Sequence, residues 1–144
     1  MTELHAAVKS GDLAQLKALL ERDRAAANAR VASDPRGVYP LHVAAEHGQA
    51  AAARLLLDYG ADVSLLDEEN VSIALCWAAF FGRPGVAAVL LAAGSDPSQR
   101  NKHGLTPLGC ALGGTRGQWQ RFSNATLEDW SKTADLIRAR GGVE

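Results

Sequence analysis

The run Pro40-Leu41-His42-Val43-Ala44-Ala45 returns 34 residues later as Ala74-Leu75-Cys76-Trp77-Ala78-Ala79, and the same offset carries Gly48 to Gly82, Gly60 to Gly94 and Asp62 to Asp96. A Thr-Pro-Leu opening stands again at Thr106-Pro107-Leu108. A period kept at once by apolar, helix-ending and turn-forming positions marks a repeat array, in which one unit cannot bury its apolar face alone and stacks on its neighbours.

Each period divides into two helices and a turn. Pro40 opens the first helix of the second unit, because proline at the first helical turn gives up a donor that has no intrahelical partner, and Gly48 closes it in a left-handed turn. From 49 to 59, Ala52, Ala53, Leu55 and Leu56 recur at helical spacing, and Gly60 stops the run. The third unit repeats the plan. A helix over 74–81 ends at Gly82, and Pro84 opens a second one carrying Val86, Val89, Leu90 and Leu91 up to Gly94. Ala44, Ala45, Ala78 and Ala79 fall where helices have to approach closely. Gly60-Ala61-Asp62-Val63-Ser64 and Gly94-Ser95-Asp96-Pro97-Ser98 supply the turn chemistry between pairs.

With Leu4-His5-Ala6-Ala7 before Gly11-Asp12, Leu55-Leu56-Leu57 before Gly60-Ala61-Asp62-Val63, and Gly104-Leu105-Thr106-Pro107-Leu108 added, the chain resembles the ankyrin repeats. The resemblance implies an all-α, ankyrin-type helical solenoid of about four helix-turn-helix units, about 2–33, 34–67, 68–100 and 101–144, forming a single domain. It further implies that His5 and His42 hydrogen-bond the backbone of a neighbouring turn, and that the activity is binding of another protein.

The departures from the repeat are where specificity is expected. His5 and His42 are 37 residues apart, so the first connection, around 24–36, should form an enlarged finger. In the third unit Val71 replaces the glycine seen at Gly37 and Gly104, Ile73 and Ala74 replace Thr-Pro, and Cys76 replaces His, which predicts a less regular turn. The fourth unit carries an addition, read as 113–125, that joins the two helices of the last pair and contains Trp119 and Phe122. The last helix starts near Thr126, with Glu128 and Asp129 in its first turn. Charged residues such as Lys9, Lys17, Glu21, Arg138 and Arg140 mark the polar faces of the two ends.

Composition narrows the remaining chemistry. At 144 residues, 47% hydrophobic and 22% charged, the chain has the make-up of one folded domain and not of a disordered segment. Fifteen Lys plus Arg against 16 Asp plus Glu leave no concentrated positive charge, which argues against nucleic acid. The N-terminal residues lack a basic stretch followed by an apolar core, and no apolar run is long enough for a membrane span, so the expectation is a soluble, cytoplasmic protein without a membrane partner. Cys76 and Cys110 are expected reduced and buried. No His, Cys, Asp or Glu set has zinc-like spacing, and no cofactor or metal is expected. Gly113-Gly114-Thr115-Arg116-Gly117 lacks the spacing and the preceding strand of a phosphate loop. Stacking could bring Cys76, His42 and His103 near one another, yet catalysis is not expected.

The aromatic residues carry the functional expectation. Phe80-Phe81 occupies the two positions before Gly82 where the second unit has Glu46-His47. An apolar pair there is either a contact site or packing for the 113–125 addition. Trp77 aligns with Val43 and reads as core; Trp130 reads as a cover for the end of the stack. The family's variable turn and inner-helix positions give the protein-binding set Arg36, Val38, Glu46, His47, Glu69, Asn70, Ser72, Phe80, Phe81, Lys102, His103 and Leu105, joined by Trp119 and Phe122. The expected function is a non-catalytic interaction module, an adaptor or an inhibitor of a partner protein. The alternatives are a self-associating protein that dimerises through the aromatic patch, and an enzyme or small-molecule binder using the same groove.

Overall fold

The computed structural model describes residues 3–144. Over them the chain winds into four consecutive helix pairs: α1 (Glu3–Ser10) with α2 (Leu13–Arg22), α3 (Pro40–His47) with α4 (Ala50–Asp58), α5 (Ala74–Phe81) with α6 (Pro84–Ala92), and α7 (Pro107–Thr115) with α8 (Leu127–Ala139). The architecture is an all-α helical repeat solenoid in two layers. Helices α1, α3, α5 and α7 each pack on the next to form one layer, and α2, α4, α6 and α8 form the other.

Local chemistry sets the helix limits. Pro40, Pro84 and Pro107 stand in first turns, and Gly48 (φ 69°) and Gly82 (φ 67°) close α3 and α5 in the left-handed region. Thr106 caps α7 through the Gly109 amide. Thr126 and Asp129 form a reciprocal capping box at the start of α8. Ala44, Ala45, Ala78 and Ala79 are fully buried, as close helix approach requires, and Leu16, Leu20, Leu56, Leu75, Leu90 and Ile137 run as a continuous core through the stack.

Between pairs the backbone turns out into fingers. Val31 N–H donates to Val38 C=O (2.8 Å), Asp67 to Ser72 (3.1 Å) and Asn101 to Leu105 (2.9 Å). Neighbouring fingers are tied as well: the amides of Glu68 and Glu69 donate to Arg36 C=O, both at 3.1 Å, and Lys102 N–H donates to Asn70 C=O (3.0 Å). This ladder holds the finger tips beside the inner helices.

The surplus of the long first connection begins with a 3-10 turn, Arg24–Asn28, that packs against α2 with Ala27 buried. The finger beyond it is the widest of the three: its closing bond joins residues seven apart, Val31 and Val38, against five at Asp67–Ser72 and four at Asn101–Leu105. The turn of the third unit is less regular, as expected. It is one residue wider, closed by Val71 N–H to Asp67 C=O (3.1 Å), where Gly104 closes on Asn101 three residues back (3.0 Å).

Two expectations about the last unit need correction. Gly113 and Gly114 are not loop; they lie inside α7. Glycine is a poor helix former, but a Cβ on Gly114 would collide with the Trp130 indole and one on Gly113 with Trp119, so both stand where aromatic rings press on the helix. Trp130, in turn, is not an end cover. It is fully buried between α7 and the close of α5, its indole N–H donating to Phe80 C=O at 3.0 Å.

Candidate functional site

The inner helices and finger tips enclose one cleft of about 430 Å³, lined by residues of the second to fourth units and of the added segment. Its apolar wall is a run of touching rings. Trp77 lies 5.9 Å from Phe81 between centroids, Phe81 5.0 Å from Phe80, and Phe80 meets both Trp119 (4.7 Å) and Phe122 (5.6 Å).

The added segment is built onto this wall. Trp119 Nε1–H donates to Cys110 C=O (2.8 Å), the Ser123 hydroxyl to Phe81 C=O (2.6 Å), and Arg83 links Glu46 C=O to the Asn124 side chain (2.7 Å). Packing against the addition is thus one part of the Phe80-Phe81 role. Both rings are still only half-buried, and Phe122 is 49% exposed.

On the opposite side stands Arg36. Its guanidinium bonds both oxygens of Asp34 and of Glu46 (2.8–3.2 Å) and lies 4.9 Å over the Trp77 ring. Asp34 first and Glu46 next hold its proton more firmly than usual, while Arg36 pulls the Asp34 carboxyl below the ordinary carboxylate range. Arg36 therefore presents a ring-stacked, internally neutralised edge and no free cation.

Beneath the rings a buried carboxylate organises the middle finger. Asp67 accepts from the amides of Asn70 (2.7 Å) and Ser72 (2.9 Å) and from the Trp77 indole (3.0 Å). His42 completes the arrangement: Nδ1 accepts from Tyr39 N–H (3.1 Å), leaving Nε2–H to donate to Ser72 C=O (2.9 Å), the backbone bond to a neighbouring turn implied by the resemblance. Burial pushes its pKa down, as it does for His47, and keeps the ring neutral.

Cys76 and Cys110 are free and buried in the floor. The neighbouring Cys110 thiol, and then burial, push the Cys76 thiol well above its ordinary range, so Cys76 stays protonated, and the two buried side chains behave as apolar floor.

Ten of the residues expected from sequence to contact a partner line this cleft: Arg36, Glu69, Asn70, Ser72, Phe80, Phe81, His103, Leu105, Trp119 and Phe122. Ser72 does so from a buried position. Glu46 and His47 lie outside it, paired with Arg36 and with each other, and Lys102 is exposed beside it. Val38 is a correction: it is fully buried, because its finger turns the side chain back into the core, and it presents nothing to a partner. The sequence reading missed Asn101, Cys76, Cys110 and Trp77 as lining residues. One signal was available, since Asp34, Asp67 and Asn101 recur in phase and each accepts from the amides of its own finger.

Among the described residues no helix is long and apolar enough to cross a membrane, and no group of three His, Cys, Asp or Glu is placed to hold a metal ion.

A family model of ankyrin repeats matches residues 4–101 in three copies, and the chain belongs to that family. It is similar to an ankyrin repeat-containing protein of Treponema pallidum (strain Nichols), 40% identical over 80 residues that make up 56% of this chain and 27% of that protein. It is also similar to ankyrin repeat and SAM domain-containing protein 6 of Danio rerio, 39% identical over 108 residues, 71% of this chain and 15% of that one. The matched region thus spans under a third of either relative. Ankyrin repeats are in general protein-protein interaction modules, and the family is typically non-catalytic.

Proposed function

We propose that this chain is a non-catalytic adaptor or inhibitor whose four units act as one domain and that grips a partner protein with its concave face, the aromatic cleft at the centre. The observation that carries the reading is the run of five rings, partly open to solvent, at the place where the second unit has the polar pair Glu46-His47. Soluble chains cover apolar surface unless it has an occupant, and interface energy concentrates in such aromatic anchors. Glu69, Asn70, Phe80, Phe81, Lys102, His103, Leu105, Trp119 and Phe122 form the contact surface in this reading, with Arg36, Glu46, His47 and Ser72 as its support. It works in the cytoplasm, without cofactor or metal and without touching nucleic acid or membrane.

The test is capture from native lysate by cross-linking, comparing wild type with Phe122→Ser and Glu69→Lys, two exposed changes whose folding is checked by circular dichroism. Loss of a captured protein in both variants supports the reading. Capture that survives both counts against this cleft as the contact surface. Light scattering over a concentration series separates the dimer alternative: a mass that doubles with concentration, and does not in Phe122→Ser, would make the partner a second copy.

A further inference from the structure

We propose that the cleft takes an extended peptide segment of its partner, one that inserts a single large apolar side chain against Trp77, Phe80 and Phe122 and carries a cationic residue toward Glu69 and an anionic residue toward Lys102 and Arg121. This rests on the protein-binding reading above and narrows it to the chemistry of the partner.

Size sets the first limit. A volume of about 430 Å³ lies near the lower end of the ligand-pocket range, about 300–1,000 Å³. It holds one large side chain with the backbone that bears it, and not a folded surface. The walls agree: the rings of Trp77, Phe80, Phe81, Trp119 and Phe122 supply faces and edges for an apolar anchor, and the two buried cysteines beneath pack as small apolar side chains.

The mouth specifies backbone. Asn70 and Asn101, on adjacent fingers, both line the cleft. The Asn70 carbonyl oxygen faces His103 Nε2 (3.2 Å), and that of Asn101 accepts from the amides of His103 (2.9 Å) and Leu105 (3.1 Å). Among the described residues neither carboxamide NH₂ has an acceptor, which leaves two donors suited to the carbonyl oxygens of an extended segment.

Charge then orients the segment. The carboxylate of Glu69, at the edge of the cleft, has no partner among the described residues, in contrast to Glu68 beside it, which pairs with Arg30 (3.4 Å). On the last finger stands Lys102, also without a partner among the described residues, and on the added segment Arg121, whose guanidinium lies 4.8 Å over the Phe122 ring. Arg36 adds no positive charge to this balance, because the two carboxylates of Asp34 and Glu46 outweigh it. The open charges are therefore negative on the middle finger and positive on the last finger and the added segment, a pattern that favours a segment of mixed charge and disfavours one of a single sign.

A random peptide library displayed on phage and selected on the intact chain tests this, with synthetic copies of the selected peptides titrated by calorimetry. Selected peptides should carry one large apolar residue between a basic and an acidic one. Replacing the apolar residue by serine should abolish binding, and changing both flanks to one sign should weaken it about three- to tenfold. Glu69→Lys should invert the preference at the basic flank, and Lys102→Glu with Arg121→Glu the preference at the acidic one. Selected peptides without the charge pattern, rankings that Glu69→Lys leaves unchanged, or no enrichment at all would each overturn the proposal. In any of these cases a protein captured by wild type and lost in Phe122→Ser leaves the protein-binding reading standing; capture unaffected by Phe122→Ser removes both.

Discussion

The middle finger, 67–72, and the last one, 101–105, make the same excursion with different means. In the last finger the chain uses the inexpensive solution: Gly104 takes a φ of 77°, and Asn101 closes a tight turn through two amides. In the middle finger Val71 holds a φ of 52°, in a region a β-branched residue rarely enters. Its side chain is 42% exposed, so little packing repays the strain. What holds it there is a denser set of bonds: buried Asp67 to three N–H groups, the Trp77 indole among them, and His42 to Ser72 from the helix behind. In the protein-binding reading this strain, kept at an exposed position beside the cleft, belongs to a contact residue, and the neighbouring finger closes without it.

Removing the anchor should have the largest effect. Asp67→Ala leaves the amides of Asn70 and Ser72 and the Trp77 indole without their acceptor in a buried setting, at a cost of about 3–4 kcal/mol in chemical denaturation. The equivalent Asn101→Ala, in a more exposed finger, should cost about 1 kcal/mol. Equal losses at the two positions would mean that the middle finger is not held more firmly than the last, and the comparison would break.

His42 comes next, and its effect depends on pH. Burial lowers the folded-state pKa below the ordinary 6.5, so the unfolded chain takes up the proton first as pH falls. The contribution of His42 is fully present above about pH 6.5 and is lost as pH drops from there toward the folded pKa. His42→Ala should cost about 2–3 kcal/mol at pH 7.5 and flatten the decline of stability below pH 6.5. His47, also lowered by burial, contributes a slope of the same sign, so the measurement compares the variant with wild type across the whole range. Unchanged pH dependence in His42→Ala would remove the ring from the support of this finger. Trp77→Phe isolates the smaller link, the single indole bond to Asp67, and should cost about 1 kcal/mol.

Much of this architecture could be read before folding, and the reasons are local. Proline at helix starts, glycine at helix ends and leucines at helical spacing act within a few residues, so the helix pairs and the Thr126 start of α8 follow from the sequence. Gly113 and Gly114 misled for the opposite reason. Their helical state is imposed by Trp119 and Trp130, whose contacts no local propensity reports. Val38 was misplaced because the expectation followed a family pattern, while the finger's own backbone decides which way its side chains turn. The proximity of Cys76 to Cys110 was hidden too, since the two occupy different phases of their units and meet only when α5 stacks on α7. The Asp67 network was visible only as a phase relation among Asp34, Asp67 and Asn101, which gains meaning once the amides they accept from are known.

The smallest effect, at Val71, is the sharpest test, because it belongs to an exchange of the two fingers' solutions. At Gly104 a Cβ would meet nothing within 4 Å, so Gly104→Val imposes left-handed backbone on a branched residue with no steric clash, at a cost of about 1–2 kcal/mol. The reverse change, Val71→Gly, relieves that strain but gives the unfolded chain the freedom of glycine, and the two nearly offset, leaving a gain of about 0.5–1 kcal/mol. Val71→Asn separates the contributions, since asparagine tolerates the left-handed region without the entropy of glycine, and it should be the most stable of the three. If Val71 is kept for contact, both replacements stabilise the chain while weakening capture of its partner. A stability loss in Val71→Gly would show instead that the partly covered valine packs well enough to offset its own backbone, and the strain would then belong to the fold and not to the cleft.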